Sequence, residues 1–355
     1  MMIAPDASVM IDIIIPNWNG EKYLPTCLES LRAQTTTNFT IYVVDNGSED
    51  GSVQLLKSDY PEVVLIEHPH NTGFSRAVNS GIHASSNPWI FLLNNDVEVA
   101  PDCIEHLSSF ISSELNYQIV ALKMMDFNKR EFIDGAGDAV LRGGVGYRIG
   151  TMEKDKNEYA VKKQVFGACA GAALYKREVF QRIGFFDDDF FAYLEDVDLN
   201  FRAVRAGFKA CFLPDAVIYH IGSASTGSKF NATTIRLSTR NNLLVMIKNY
   251  DPILFIQLLL PILVYQFFWL IFIAKHQLYG AYIKGIFEAL KMYPLMRIKK
   301  SYRHPSVRLS RAEFRQKITN AEYEAINSVM RRRKENGKNN LLLKVYRRLF
   351  FMGAQ

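Results

Sequence analysis

The chain predicts an α/β fold: an open, mostly parallel sheet flanked by helices, followed by C-terminal helices that associate with a membrane. Short apolar, β-branched runs recur at Ile11–Ile15, Ile41–Val44, Val63–Ile66 and Trp89–Leu93. Helical patterns at Glu21–Arg32, Ser52–Ser58 and Thr72–Ala84 lie between them. Apolar runs without strict alternation suit strands buried on both faces, and their alternation with helices makes a βαβαβ order. The third observation is Ile253–Ala274, 22 residues without a formal charge and long enough to cross a bilayer. Gln257, Pro261 and Gln266 interrupt it, so a buried core helix is the alternative.

Between these parts the pattern is less regular. Asp134–Gly150 is glycine-rich with mixed charges and suits a mobile loop or a short hairpin. From Gly167 to His220 the sequence is globular again. With 355 residues, 48% of them hydrophobic and 22% charged, the chain can bury a full core in one large domain and add something to it. Charge is distributed unevenly. Residues 291–355 hold 17 Lys and Arg against 4 Asp and Glu, a net +13 that leaves −7 for the rest of a +6 chain. A basic tail on an acidic body points to an anionic surface, membrane phospholipid or nucleic acid. The tail lacks the interleaved aromatics that stack bases, which argues against nucleic acid. Cys27, Cys103, Cys169 and Cys211 have no metal-ligand spacing and suit small buried residues in a reduced compartment. No secretory leader pattern opens the sequence, so the body is expected to face the cytoplasm.

Ligands of an open parallel sheet sit beyond the carboxyl ends of its strands. The first run ends in Pro16-Asn17-Trp18-Asn19-Gly20, the second in Asp45-Asn46-Gly47-Ser48, and the fourth in Asn94-Asn95-Asp96-Val97-Glu98. Together they predict a polar crevice, although Asp45-Asn-Gly is also an ordinary turn. No Gly-x-Gly-x-x-Gly follows the first strand and no Gly-x-x-x-x-Gly-Lys-Ser/Thr occurs, which disfavours dinucleotide oxidoreductases and P-loop phosphotransferases. Asp96, a carboxylate on a loop after a buried strand, is the candidate ligand for Mg²⁺ or Mn²⁺ beside a diphosphate; Glu98 suits a solvated loop charge better.

A second constellation lies at Phe185–Phe208. Leu194, Val197, Phe201 and Val204 recur at helical spacing, so a helix begins near Leu194 with Glu195, Asp196 and Asp198 in its first turn. The positive end of a helix dipole favours ionised carboxylates, which suits a general base. Asp198 can pair with Arg202 one turn on and is expected to be structural. The three acids can equally be helix-start decoration. His220, after the run Ala216–Tyr219, is either a structural histidine or a metal ligand with Asp96.

Taken together, IIPNWNG, VVDNGSEDGS, NTGFSRAVNSGI, LLNNDVEV, the segment from Gly167 to Phe208 and RNNLLVMIKNY resemble family 2 glycosyltransferases of the GT-A fold, within them the rhamnosyltransferase-like bacterial subgroup. The resemblance runs from about Ile11 to Asn249. It implies a GT-A catalytic domain over 1–235; the apolar run and the charge distribution add a membrane-associated helical region over 236–300 and a basic helical tail over 301–355. It implies that Pro16, Asn17 and Asp45 line the base pocket, with Arg76 and Asn79 near the ribose-diphosphate. Asn94-Asn95-Asp96 takes the family's Asp-x-Asp position with Asn in place of the first acid, so Asn95 lies in the donor site and Asp96 binds the metal with less help. Glu195-Asp196 matches the acceptor-side acidic pair, with Asp196 as base, and His220 matches a histidine that ligates metal in some members.

The implied reaction is inverting transfer of a sugar, dTDP-rhamnose favoured, from a nucleotide diphosphate to a lipid-linked or growing cell-surface glycan such as a polyprenyl-diphosphate-linked one. A sugar nucleotidyltransferase and a non-catalytic membrane-associated protein are the alternatives; the first wants a basic triphosphate loop after strand one, where Asn17–Gly20 has no basic residue. The implied partners are the donor, the acceptor and a membrane surface, without nucleic acid. A single span at Ile253–Ala274 would put the basic tail on the far side, against the positive-inside tendency. Monotopic or re-entrant attachment at the cytoplasmic face of a bacterial inner membrane is therefore expected, with Leu278–Met296 amphipathic and the tail on anionic headgroups.

Overall fold

The computed structural model describes residues 10–222 and 231–351; residues 1–9, read above for a leader, lie outside them. Its N-terminal half runs β1 (Ile11–Asn17), α1 (Leu24–Arg32), β2 (Phe39–Asp45), α2 (Ser52–Asp59), β3 (Val64–Glu67), α3 (Phe74–Ala84), β4 (Trp89–Leu93), β5 (Val97–Val99), α4 (Cys103–Ser113) and β6 (Ile119–Asp126). Then follow β7 (Ile133–Ala136), β8 (Asp138–Leu141), β9 (Val145–Arg148), β10 (Lys163–Val165), β11 (Ala172–Lys176), α5 (Arg177–Ile183), α6 (Glu195–Arg205) and β12 (Ala210–His220). Helices complete the chain: α7 (Ala232–Asn249), α8 (Pro252–Gln257), α9 (Leu259–His276), α10 (Tyr279–Ile298), α11 (Arg311–Glu335) and α12 (Leu341–Phe350).

The main sheet has the order β10-β12-β6-β11-β4-β1-β2-β3. β3, β2, β1 and β4 are mutually parallel. β11 runs antiparallel to both β4 and β6, and β12 runs parallel to β6. Six of the eight strands along this path therefore point the same way, and the ends of β1, β2, β4 and β12 open on one edge. That arrangement is the mostly parallel α/β sheet expected.

The register follows the apolar pattern. Ile11, Ile13 and Ile15 of β1 face a core layer shared with Leu24 and Leu28 of α1 and Ile104 and Leu107 of α4. Ile14 faces the other layer, with Val78 and Ile82 of α3. Burying strands on both sides this way stabilises each large aliphatic side chain by about 1.5–3 kcal/mol. The opposite layer extends through α6 and α7 into the C-terminal helices, where Phe314 and Ile318 of α11 are fully buried beside Phe201.

The Asp134–Gly150 segment resolves into the β8–β9 hairpin, with Ala139 and Val140 buried, rather than a mobile surface loop. Ile253–Ala274 breaks at Leu258 into α8 and α9. The four cysteines are free thiols, three of them buried and Cys169 partly so.

Candidate active site

A chain of side-chain hydrogen bonds crosses the open edge. Asn95 Nδ2 donates to Asn17 Oδ1 (2.7 Å), and Asn17 Nδ2 donates to Asp45 Oδ1 (2.9 Å). Asp45 in turn accepts from the Ser48 hydroxyl (2.6 Å) and backbone N–H (3.0 Å). Three strand ends are thereby locked together by groups from β1, β2 and the β4–β5 loop. Gly20 closes over this rail. A Cβ there would lie 2.1 Å from Asn17 Oδ1 and 2.2 Å from Asn95 Nδ2, so only glycine lets the loop approach so closely.

Above the rail is a crevice of about 540 Å³ whose lining includes Pro16, Asn17, Asn95, Asp96, Arg148 and His220. Asp45 supports it from beneath through Asn17. Asn79 and Arg76 do not line it. Asn79 donates to Phe186 O (2.8 Å) and Asp188 Oδ1 (2.9 Å), and exposed Arg76 pairs with Asp188 (3.2 Å), so both are engaged with the turn before α6. Glu98 forms a two-pronged pair with Arg130 on the surface.

His220 at the end of β12 stands between two carboxylates. Its Nε2 is 3.5 Å from Asp96 Oδ1, and its Nδ1 is 2.8 Å from Asp134 Oδ2. Burial alone would lower the imidazole pKa, but its hydrogen bonds to Asp134 and Asp96 and their charges outweigh this and raise it to about 9. Asp134 also binds the Arg148 guanidinium. No group of three His, Cys, Asp or Glu poised on a metal occurs among the described residues. Asp96 and His220 nonetheless fit a divalent cation that takes its remaining oxygens from a diphosphate and water. A carboxylate on the other imidazole nitrogen is the usual orienting partner of a ligating histidine, and Asp134 is so placed.

The second constellation joins the first through the loop before β11. Asp196, in the first turn of α6, accepts from the backbone N–H of Ala170 (3.3 Å) and of Val197 (2.8 Å). One residue on, Gly171 O accepts from Asn94 N (2.9 Å), beside Asp96. Burial raises the Asp196 pKa against those N–H bonds and the charge of Arg148. Burial, with the charge of Asp196, raises Glu195 to about 8, and burial with Asp196 raises Asp138 as well. The negative charge of this acidic group is therefore best held on Asp196, the member whose carboxylate accepts two backbone N–H bonds. Asp198 is structural as expected, 2.9 Å from Arg202 Nε and fully buried.

The segment leading into α6 is strained. Phe191, Tyr193 and Leu194 all have positive φ, at 64°, 69° and 64°. Such conformations cost about 1–3 kcal/mol each and persist only where surroundings hold them. Asn241 of α7 does so: its Nδ2 donates to the carbonyls of Phe190 (3.0 Å), Ala192 (2.9 Å) and Tyr193 (2.6 Å). Phe191 and Tyr193 consequently face the crevice.

Residues 12–184 match the family model described as glycosyl transferase family 2. The chain carries a family 2 glycosyltransferase domain. This glycosyltransferase is 25% identical over 239 residues to the N-acetylglucosaminyl-diphospho-decaprenol L-rhamnosyltransferase of Mycobacterium tuberculosis, covering 61% of this chain and 78% of that one. It is 32% identical over 208 residues to the glycosyltransferase GlyA of Streptococcus pneumoniae, covering 57% of this chain and 29% of GlyA. Among solved structures it is similar to GalNAc-T7 with UDP, GalNAc and Mn²⁺ at TM-score 0.57 and 15% identity, over 70% of this chain and 49% of that one. It is also similar to S. aureus TarS 1–349 in complex with UDP, at TM-score 0.51 and 15% identity over 88% and 90% of the two chains. The fold is GT-A, and the glycosyltransferase acts on nucleotide sugars. The nucleotidyltransferase and non-catalytic alternatives give way to this assignment.

Sequence reasoning named Asp96, His220 and Asp196 but missed Asp134, Arg148 and Asn241. The first two sit in the glycine-rich stretch read as a mobile loop or a short hairpin, a reading that assigned no direction to their side chains. Asn241 stood inside RNNLLVMIKNY, where two adjacent amides on an otherwise apolar helix face signal buried hydrogen-bonding work.

Proposed function

We propose that this glycosyltransferase moves a sugar, dTDP-rhamnose favoured, by one inverting displacement onto a polyprenyl-diphosphate-linked or growing cell-surface glycan. The observation that carries the reading is the loop at Cys169–Gly171, which ties the Asp196 carboxylate to the strand end bearing Asn94-Asn95-Asp96. Asp196 takes the proton of the acceptor hydroxyl as that oxygen bonds to the anomeric carbon. The bond from that carbon to the nucleotide breaks on the opposite face, its electron pair leaves with the nucleoside diphosphate, and the configuration inverts. Asn17, Asp45 and Asn95 orient the nucleotide, and Asp96 with His220 would hold Mg²⁺ or Mn²⁺, whose charge offsets that growing on the diphosphate. Glu195, kept protonated, leaves Asp196 as the acceptor of the proton. The mycobacterial relative, named for a rhamnose transfer to a diphospho-decaprenol, supports the general reaction of sugar transfer; the donor and acceptor named here are our own extension of it.

A lipid-linked acceptor places the enzyme at the cytoplasmic face of a bacterial inner membrane. α9 is the one helix among the described residues long and apolar enough to cross a bilayer. Its inner face is anchored to α7 by Gln266 Nε2 to Asn242 Oδ1 (2.7 Å) and Trp269 Nε1 to Thr239 Oγ1 (3.1 Å), while Leu263, Phe267 and Ile271 are exposed. A helix docked along the catalytic domain lies in the interface more readily than it spans. α10 adds Ile283, Phe287 and Leu290 outward, with Glu288 paired inward to Arg236. Domain limits of 1–235, 236–300 and 301–355 belong to the same proposal.

Asp196→Asn, assayed for turnover and for donor binding by calorimetry, tests the base. Turnover falls by about 10²–10⁴-fold, the ordinary worth of a general base, with donor affinity kept; near-parental turnover overturns the assignment.

A further inference from the structure

We infer that α12 is a second membrane-docking element, separate from α8–α10, that lays an apolar stripe into an anionic lipid surface; the inference rests on the membrane reading above. α12 is held to the body on one side only. Tyr346 donates to Glu322 of α11 (2.9 Å), and Arg142, at the end of β8, pairs with that same Glu322 while lying under the rings of Phe350 and Phe351. The opposite side is unpartnered. Leu341, Leu342, Val345 and Leu349 fall within about 100° of arc at 100° per residue, and Leu342 and Leu349 are 72% and 62% exposed.

Charge selects the partner. Lys344 and Arg348 border the stripe, and residues 336–355 contain no Asp or Glu. A second copy of this chain seated on the stripe would bring cations against cations, whereas an anionic headgroup layer over an acyl region matches both the rim and the stripe. Position agrees with this. The tip of the β8–β9 hairpin presents Arg142 to α12 and, one residue on, Gly143 to α9, where a Cβ would lie 2.5 Å from the Tyr265 ring. α12 therefore stands beside the helix that the membrane reading already lays on the lipid. Gly337, at φ 65°, makes the turn that folds α12 back from α11.

The test is co-sedimentation of the full-length protein with vesicles of pure phosphatidylcholine and of phosphatidylcholine with phosphatidylglycerol, alongside mass measurement in detergent. Leu342→Glu/Leu349→Glu, two exposed positions, lowers partition onto both vesicles by about tenfold or more, with melting temperature and donor hydrolysis in detergent unchanged. Lys344→Glu/Arg348→Glu lowers it about tenfold on the anionic vesicles only. Parental partition of both α12 variants, while Leu263→Glu/Phe267→Glu on α9 releases the protein, overturns the inference and leaves the membrane reading standing. Parental partition of all three removes the membrane reading together with it. A fall in assembled mass caused by the α12 substitutions would make the stripe a self-association surface and also overturn the inference.

Discussion

Lys248→Met probes how the acid-bearing helix is held. Lys248 Nζ lies 2.8 Å from Asp187 Oδ2 and 2.7 Å from Asp198 Oδ2, all three groups buried. Methionine keeps the volume and removes the charge, leaving two carboxylates in the interior. Removing one member of a buried charge pair costs about 3–5 kcal/mol. The lower end applies here, because Asp198 keeps Arg202 and Asn249 Nδ2 (2.9 Å each) and Asp187 keeps Lys299 (2.7 Å). For a chain of 355 residues, about 3 kcal/mol corresponds to a melting temperature lower by roughly 4 °C at neutral pH, measurable by intrinsic fluorescence in detergent. The pH dependence identifies the cause. In the parent, burial opposes ionisation, but the lysine and arginine charges outweigh it and hold both carboxylates below their usual value. Their stabilisation is therefore complete above the unfolded carboxylate pKa, about 3.9, and is lost as pH falls through the folded values. In the variant, burial dominates and the carboxylates shift upward, so the penalty grows as pH rises above that unfolded value. The gap between the proteins is widest at pH 7 and narrows toward pH 4. A loss under about 2 °C at pH 7, or a gap unchanged between pH 7 and pH 4.5, refutes the argument.

Asp134→Asn keeps the shape beside His220 but removes the charge that orients the imidazole. Mn²⁺ affinity, read by calorimetry on the protein without donor, falls by about 10–100-fold, and an unchanged affinity shows that Asp134 serves only Arg148. Asn241→Leu strips the carbonyls of Ala192 and Tyr193 of their donor, while Phe190 O keeps Arg240 Nη2 (2.6 Å). It lowers stability by about 1–3 kcal/mol and, by releasing Phe191 and Tyr193, weakens binding of a UDP- or dTDP-sugar in thermal-shift titration; parental donor binding with a lower melting temperature would confine Asn241 to stability.

The sheet was legible because its signal is local. Trp89–Leu93 is an unbroken buried strand read to the residue, and β1 and β2 each ran only one to three residues beyond their apolar cores, into Asn17 and Asp45. Those extensions carry the polar residues that the strand-end argument sought, so the crevice was legible too. What local pattern could not supply was the direction of side chains from distant segments. Asn79 was placed near the diphosphate by resemblance, yet its amide bonds the Phe186–Asp188 turn, 107 residues away along the chain in the case of Phe186. Arg148 reaches the crevice, and Asp134 reaches His220 beside it, only because β9 folds back on β8 and β7 pairs with β6, pairings that depend on tertiary register. The strain at Phe191–Leu194 was likewise invisible, since nothing in Phe-Ala-Tyr-Leu favours positive φ. It is imposed by Asn241, from a helix that begins some forty residues later.

The β8–β9 hairpin connects the two halves of the functional proposal. Its tip is wedged between α9, α12 and α7, with Gly144 so close to Met246 that a Cβ would lie 2.6 Å from its Cγ. Its other end carries Arg148, which lines the crevice and binds Asp134. Only three residues separate Gly144 from Arg148, and β8–β9 pairing makes that distance rigid. A shift of α9 or α12 on a lipid surface would therefore reach Arg148 through a short, hydrogen-bonded lever, because close-packed elements transmit strain instead of absorbing it. If the proposed docking holds, contact with the membrane and shaping of the donor site share one element, which would be a physical reason to place the apolar helices against this hairpin.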